Sequence, residues 1–258
     1  MFNQFALLIT LLSASLLANS QTGKDPRFGV KNIILVHGAW ADGSGWRSVS
    51  DILVKDGFKV SIVQVPETSF QDDVKAVKRM LALQDGPSIL VAHSYGGAVA
   101  TEAGNELSVA GLVYVAAHMP DAGENEADEG KLFPSALSKS NAIKKTADGF
   151  TYLDPSQFQD YFAADLPADL AANMARSQVL NAEVNFKAVI TTPAWRKKPT
   201  WMIVAESDRT INPDLERFYA KRARSRTIEI AGASHCVYIS HSREVADVIE
   251  SASRAVSR

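Results

Sequence analysis

Ser94, Asp208 and His235 are the side chains in this sequence whose types and order could carry nucleophilic chemistry. Ser94 lies in Ala92-His93-Ser94-Tyr95-Gly96-Gly97, just after the apolar run Ile89-Leu90-Val91 and just before the helix-forming Ala98-Val99-Ala100. A serine at a strand-to-helix turn, with small residues two places before and two after, has the signature of a nucleophile elbow. Such a turn lifts the hydroxyl clear of the sheet at the start of a helix, where developing negative charge is stabilised.

A serine hydroxyl is too weak an acid to attack an acyl carbon alone, so it needs a base that is itself held in orientation. Of the five histidines, His235 sits in the small-residue loop Gly232-Ala233-Ser234-His235 after the last strand-like run, Thr227 to Ile230. His37 and His93 flank strand ends and read as turn-shaping residues, His118 could reach a pocket mouth, and His241 begins the final helix. Asp208 lies three residues beyond the run Trp201 to Ala205 and precedes the helix start Asn212-Pro213. The order Ser, Asp, His is one that strand-to-helix elbows share. Asp121, beyond the fourth strand-like run, is the rival acid.

An attacked carbonyl becomes an oxyanion, and preorganised N–H groups stabilise it by a few kcal/mol per donor. The amide of Tyr95 is one donor, and the loop Val36-His37-Gly38-Ala39-Trp40 supplies the other. Ala39 is assigned, with Trp40 as the neighbouring alternative. Trp40 and His118 are expected to line the substrate pocket.

The elements that must position these residues follow from periodicity. Strands are predicted at 32–36, 59–65, 88–92, 111–116, 200–205 and 227–230, alternating with helices at 46–55, 69–83, 95–107, 213–223 and 242–255. That alternation predicts a mostly parallel, doubly wound six-stranded α/β sheet. Residues 119–198 break the rhythm, because a crossover needs far fewer residues. They are expected to form a helical cap over the carboxyl ends of the strands, with helical patterns at 155–163 and 167–181 and aromatics that build the cap's own core. The acidic run Glu124, Glu126, Asp128, Glu129 and the basic residues Lys221, Arg222, Arg224 and Arg226 read as solvated surface.

Composition narrows the partners. With 258 residues, 46% of them hydrophobic, the chain can bury one large core, and its formal net charge of −2 gives no positive field for nucleic acid. Residues 1–20 carry no charged side chain, and the apolar run Phe5 to Ala18 is too short for a comfortable membrane span. It reads as a secretory signal peptide, which predicts a secreted or periplasmic protein whose folded domain occupies 30–258. Cys236 is the only cysteine, so no internal disulfide forms, and its plain reading is a small buried neighbour of His235.

With these residues in place, the chain resembles the α/β-hydrolase superfamily over Asn32 to Ala255. More closely it is similar to a small esterase branch that includes plant methyl esterases and hydroxynitrile lyases. The resemblance is carried by His37-Gly38-Ala39-Trp40 through Trp46, the elbow 92–97, the segment 200–213 and the end 232–241. It implies an α/β-hydrolase fold and hydrolysis of a small carboxylic ester without cofactor or metal. The lyases of that branch add a threonine just after the strand-end histidine and a lysine just after the catalytic histidine. Here those positions hold Gly38 and Cys236, which favours hydrolysis over carbon–carbon cleavage. A lyase or perhydrolase on the same triad, and a ligand-binding protein with a vestigial triad, are the competing readings.

Overall fold

The computed structural model describes residues 29–256, so the leader expected at residues 1–20 lies outside the described residues. Along the chain run β1 (Asn32–Val36), α1 (Arg47–Lys55), β2 (Lys59–Val63), α2 (Phe70–Ala82), β3 (Ser88–Ser94), α3 (Gly96–Ala103) and β4 (Val109–Ala117). The cap follows with α4 (Glu126–Leu132), β5 (Ile143–Lys145), β6 (Phe150–Leu153), α5 (Phe158–Phe162), α6 (Ala168–Arg176) and β7 (Asn181–Ala182). The chain then returns through β8 (Thr200–Ala205), α7 (Pro213–Ala223), β9 (Arg226–Ile230), α8 (Val237–Ser240) and α9 (Ser242–Ala255).

Six strands form one sheet in the order β2-β1-β3-β4-β8-β9, and every neighbouring pair is parallel. Alternate residues serve opposite faces. Ile34, Val36, Leu90, Tyr114, Met202 and Val204 pack toward α2, α3 and α7. Ile33, Leu35, Ile89, Val91, Val113 and Ile203 pack toward α1 and α9. Because helices cover both faces, β1, β3 and β8 are buried along their whole length, which is why they read as unbroken apolar runs.

Strand order reverses direction between β1 and β3, and a crevice opens there at the strands' carboxyl ends. The loops carrying Ala39 and Ser94 leave the sheet at that point.

The insertion departs from the purely helical cap expected. It contains a three-stranded antiparallel sheet, β5-β6-β7, with Ile143 opposite Leu153 and Thr151 opposite Asn181. Strands of two to four residues are too short to show a two-residue period, which hid them. The predicted helices are present but shorter, and Phe158 and Phe162 stack at 4.9 Å in the cap's core.

Sequence signals also explain where helices start. Ser69 accepts from the Asp72 amide at 3.1 Å, Asn125 from Asp128 at 3.0 Å, and Asn212 from Asp214 at 2.9 Å, capping α2, α4 and α7. Pro213 at the first turn reinforces the last of these.

Candidate active site

Ser94 ends β3 with φ of +54°, a left-handed conformation that L residues other than Asn and Asp rarely adopt. The surrounding chain enforces it. The Ser94 carbonyl accepts from the His118 amide at 3.2 Å, and a Cβ at Gly97 would run into the His118 carbonyl. Glycine at 97 therefore lets α3 begin against the end of β4, so the serine must turn sharply. Tyr95 is the residue that leads into α3.

His235 and Asp208 meet behind that turn. His235 Nδ1 lies 2.6 Å from Asp208 Oδ2, and both side chains are fully buried. Asp208 Oδ1 accepts from the amides of Thr210 at 2.7 Å and Ile211 at 3.0 Å, so the loop after β8 fixes the carboxylate. A hydrogen bond from Nδ1–H to the carboxylate leaves Nε2 with its lone pair free. That Nε2 is buried and has no hydrogen-bond partner among the described residues, Ser94 Oγ included. Catalytic hydrogen bonds are often long in unliganded hydrolases and tighten when substrate binds.

Three residues that sequence reasoning missed hold this pair in place. Asp165, from the cap, accepts from the Ser234 amide at 3.0 Å, from the Ser234 hydroxyl, and from Ser240 Oγ at 2.7 Å, tying down both sides of His235. His93, read only as a turn residue, donates from Nε2 to the His235 carbonyl at 2.9 Å. Glu216 of α7 accepts from the Ala205 amide at 3.2 Å. Burial, followed by the nearby Asp208 charge, holds its carboxyl well above the usual carboxylate range. Their partners are distant in sequence, so no local spacing announced them. Phe162 closes the site, its ring edge-on to His235 at 4.8 Å.

The candidate oxyanion donors separate clearly. Trp40 has φ of +60° and its amide donates to Glu67 Oε2 at 3.3 Å, so the Trp40 alternative is already engaged. Among the described residues the Ala39 and Tyr95 amides have no such partner. Glu67 and Asp73 brace both loops: Asp73 accepts from the Glu67 amide at 2.7 Å and from the Tyr95 hydroxyl at 2.5 Å. Burial is the main force raising Glu67 well above the carboxylate range and raising Asp73 to about 6.

Ser94, Ala39, Trp40 and His118 all line one cavity of about 500 Å³. Its other walls come mainly from α4, the segment after it and the start of α7, including Phe133, Leu137, Ile211 and Leu215. The rival acid Asp121 faces elsewhere, its Oδ2 accepting from Arg196 at 2.7 Å. Cys236 is buried beside His235, as its plain reading holds.

Part of the supposed surface is interior. Glu126 and Glu129 are only 6% and 5% exposed, and Glu126 lines the cavity. Arg222 reaches inward to the Met119 carbonyl at 2.7 Å and to Glu124 at 2.8 Å. The acidic run failed as a solvated face because Glu126, Glu129 and Phe133 recur at i, i+3 and i+7, one helical stripe turned inward. Asp128 and Lys131, on the opposite side, pair in solvent at 2.6 Å.

An elbow serine at the switch point of a parallel sheet, with a buried histidine–carboxylate pair, places the chain among α/β hydrolases. The sequence profile of the alpha/beta hydrolase family matches residues 33–248, and the chain belongs to that family. It is 26% identical over 240 residues to a Phoma sp. protein described as probable hydrolase R7, covering 84% of this chain and 96% of that one. The fold is also that of a pyrethroid hydrolase from Sphingobium faniae, with a TM-score of 0.73, 22% identity, and 88% and 98% of the two chains covered. A methylesterase from Arabidopsis aligns with a TM-score of 0.73 at 17% identity, covering 86% of this chain and 98% of its own.

Proposed function

We propose that this chain hydrolyses a small carboxylic ester through Ser94, His235 and Asp208 by way of an acyl-enzyme. One observation carries the reading: the Asp208–His235 pair at 2.6 Å leaves a buried Nε2 without a partner in the fold that places Ser94 at the elbow. His235 Nε2 takes the Ser94 proton as Oγ attacks the carbonyl, and Asp208 stabilises the imidazolium. The Ala39 and Tyr95 amides receive the oxyanion. His235 then protonates the departing alcohol, and water repeats the sequence on the acyl-enzyme. The relatives named for pyrethroid and methyl ester hydrolysis support an ester as the substrate.

Carbon–carbon cleavage is disfavoured by Gly38. A Cβ there would lie 2.5 Å from Ser94 Cβ, so a threonine has no room beside the nucleophile in this loop. Export belongs to the same proposal, with residues 1–20 as a leader and Gln21 as the mature amino terminus.

The test is hydrolysis of 4-nitrophenyl butyrate by wild type, Ser94→Ala and His235→Ala. Each variant is expected to lose at least about a thousandfold in kcat. Wild-type rates in Ser94→Ala would remove the serine from this role.

A further inference from the structure

Glu126 and His118 both line the cavity, and the ester chemistry uses neither. Glu126 is 94% buried, lines the cavity, and its Oε1 has no hydrogen-bond partner among the described residues. Its Oε2 stands 3.5 Å from His118 Nε2. His118 lines the same cavity, with Nδ1 3.3 Å from the Tyr219 hydroxyl. With that hydroxyl donating to Glu129 Oε2 at 2.6 Å, the matching His118 tautomer donates from Nδ1–H to its oxygen. The imidazole therefore presents the Nε2 lone pair to the Glu126 side.

Burial pushes His118 down to about 3, so it is neutral near pH 7. Burial, with Glu129 adding to it, holds the Glu126 carboxyl well above the usual range, which favours its neutral form. One acceptor and one carboxylic acid thus face the same space, alongside Leu137, Ile211 and Leu215. A buried polar atom without a partner is destabilising, and a ligand group able both to donate and to accept relieves it. A hydroxyl meets that description. An ammonium group would require Glu126 ionised, and a carboxylate would meet no cation in the pair.

We infer that His118 and Glu126 form a specificity subsite for a hydroxyl group on the ester, which donates to His118 Nε2 and accepts from the Glu126 carboxyl. The inference rests on the ester-hydrolase reading and names its substrate class: hydroxylated esters over their alkyl counterparts.

Matched pairs test it on both sides of the ester bond: methyl 6-hydroxyhexanoate against methyl heptanoate, and 4-hydroxybutyl acetate against pentyl acetate. Methyl 6-aminohexanoate serves as the cationic comparison. Hydrolysis is followed by pH-stat in wild type, Glu126→Gln, Glu126→Leu and His118→Phe, with circular dichroism and Tm to confirm folding. In wild type the hydroxylated member of at least one pair is expected to lead in kcat/KM by about tenfold or more. Glu126→Gln keeps a donor and an acceptor and retains part of that lead, while Glu126→Leu and His118→Phe each abolish or invert it. A wild-type preference for the alkyl member in both pairs, a lead for the amino ester, or a ratio unchanged in Glu126→Leu and His118→Phe overturns the subsite. Calorimetric binding of the same esters to Ser94→Ala, with and without Glu126→Leu, reads the subsite without turnover. Tighter binding of the hydroxylated member there, lost with Glu126→Leu, upholds the subsite even if wild type hydrolyses nothing; equal binding overturns it.

Discussion

His93 Nε2 donates to the carbonyl of His235 at 2.9 Å, so the residue beside Ser94 fixes the backbone of the proposed base. The two rings lie 4.5 Å apart between Phe162 and Tyr238. Burial and the neighbouring His235 hold His93 well below its ordinary range, so it acts as a neutral donor. His93→Ala is expected to lower kcat by about tenfold to a hundredfold with little change in KM. It should also cost about 2–4 kcal/mol of stability through a lost ring and an unpaired carbonyl. Steady-state kinetics and urea unfolding check both, and a wild-type kcat in a folded variant would separate His93 from the base.

Glu67 joins the two sides of the proposed oxyanion site by a different route. Its carboxyl accepts from the Trp40 amide at 3.3 Å and its own amide donates to Asp73 at 2.7 Å. Glu67→Gln keeps an acceptor for Trp40 and is expected to stay within a few-fold of wild type. Glu67→Ala releases the loop that aims the Ala39 amide, with a fall in kcat of about tenfold to a hundredfold. Equal kcat in the two variants would mean the loop is held without this carboxyl.

Asp73 makes stability depend on pH in a direction that can be worked out. Burial raises its carboxyl from 3.8 to about 6, against the opposing bonds from Tyr95 and the Glu67 amide. Between those values the native state binds more protons than the unfolded chain, so stability falls as pH rises from about 4 to about 6. Asp73→Asn removes that fall, which amounts to no more than about 3 kcal/mol. Urea unfolding of both proteins at pH 4 to 7 should show curves that diverge across this window, whereas parallel curves would contradict the assignment.

How far the sequence could be read depended on the range of the interaction. β1, β8, α7 and α9 lie at their predicted bounds, because long apolar runs, Asn212-Pro213 and a strong helical stripe are local signals. The placement of Ser94, Asp208 and His235 at or just beyond strand ends was legible for a related reason: each strand-like run is itself a local signal. The helix after the elbow ends at Ala103, short of the predicted 107, where Gly104 packs against the Ala194 side chain from the far end of the cap. Asp165 and Glu216 escaped notice because their roles exist only once the cap and α7 fold back on the strand ends. Glu126 escaped because a charged run is usually solvated, and only the packing of α4 over the cavity shows its buried stripe.

In the proposed mechanism Ser94 carries the acyl group with His235 as its base and Asp208 behind it. Intact mass spectrometry after brief exposure to a fluorophosphonate ester tests it most directly, read on wild type, Ser94→Ala and Asp208→Asn. One adduct is expected on wild type, located at Ser94, none on Ser94→Ala, and labelling of Asp208→Asn slowed by about a thousandfold or more. Labelling of Ser94→Ala at the wild-type rate, or an adduct on another residue, would contradict it.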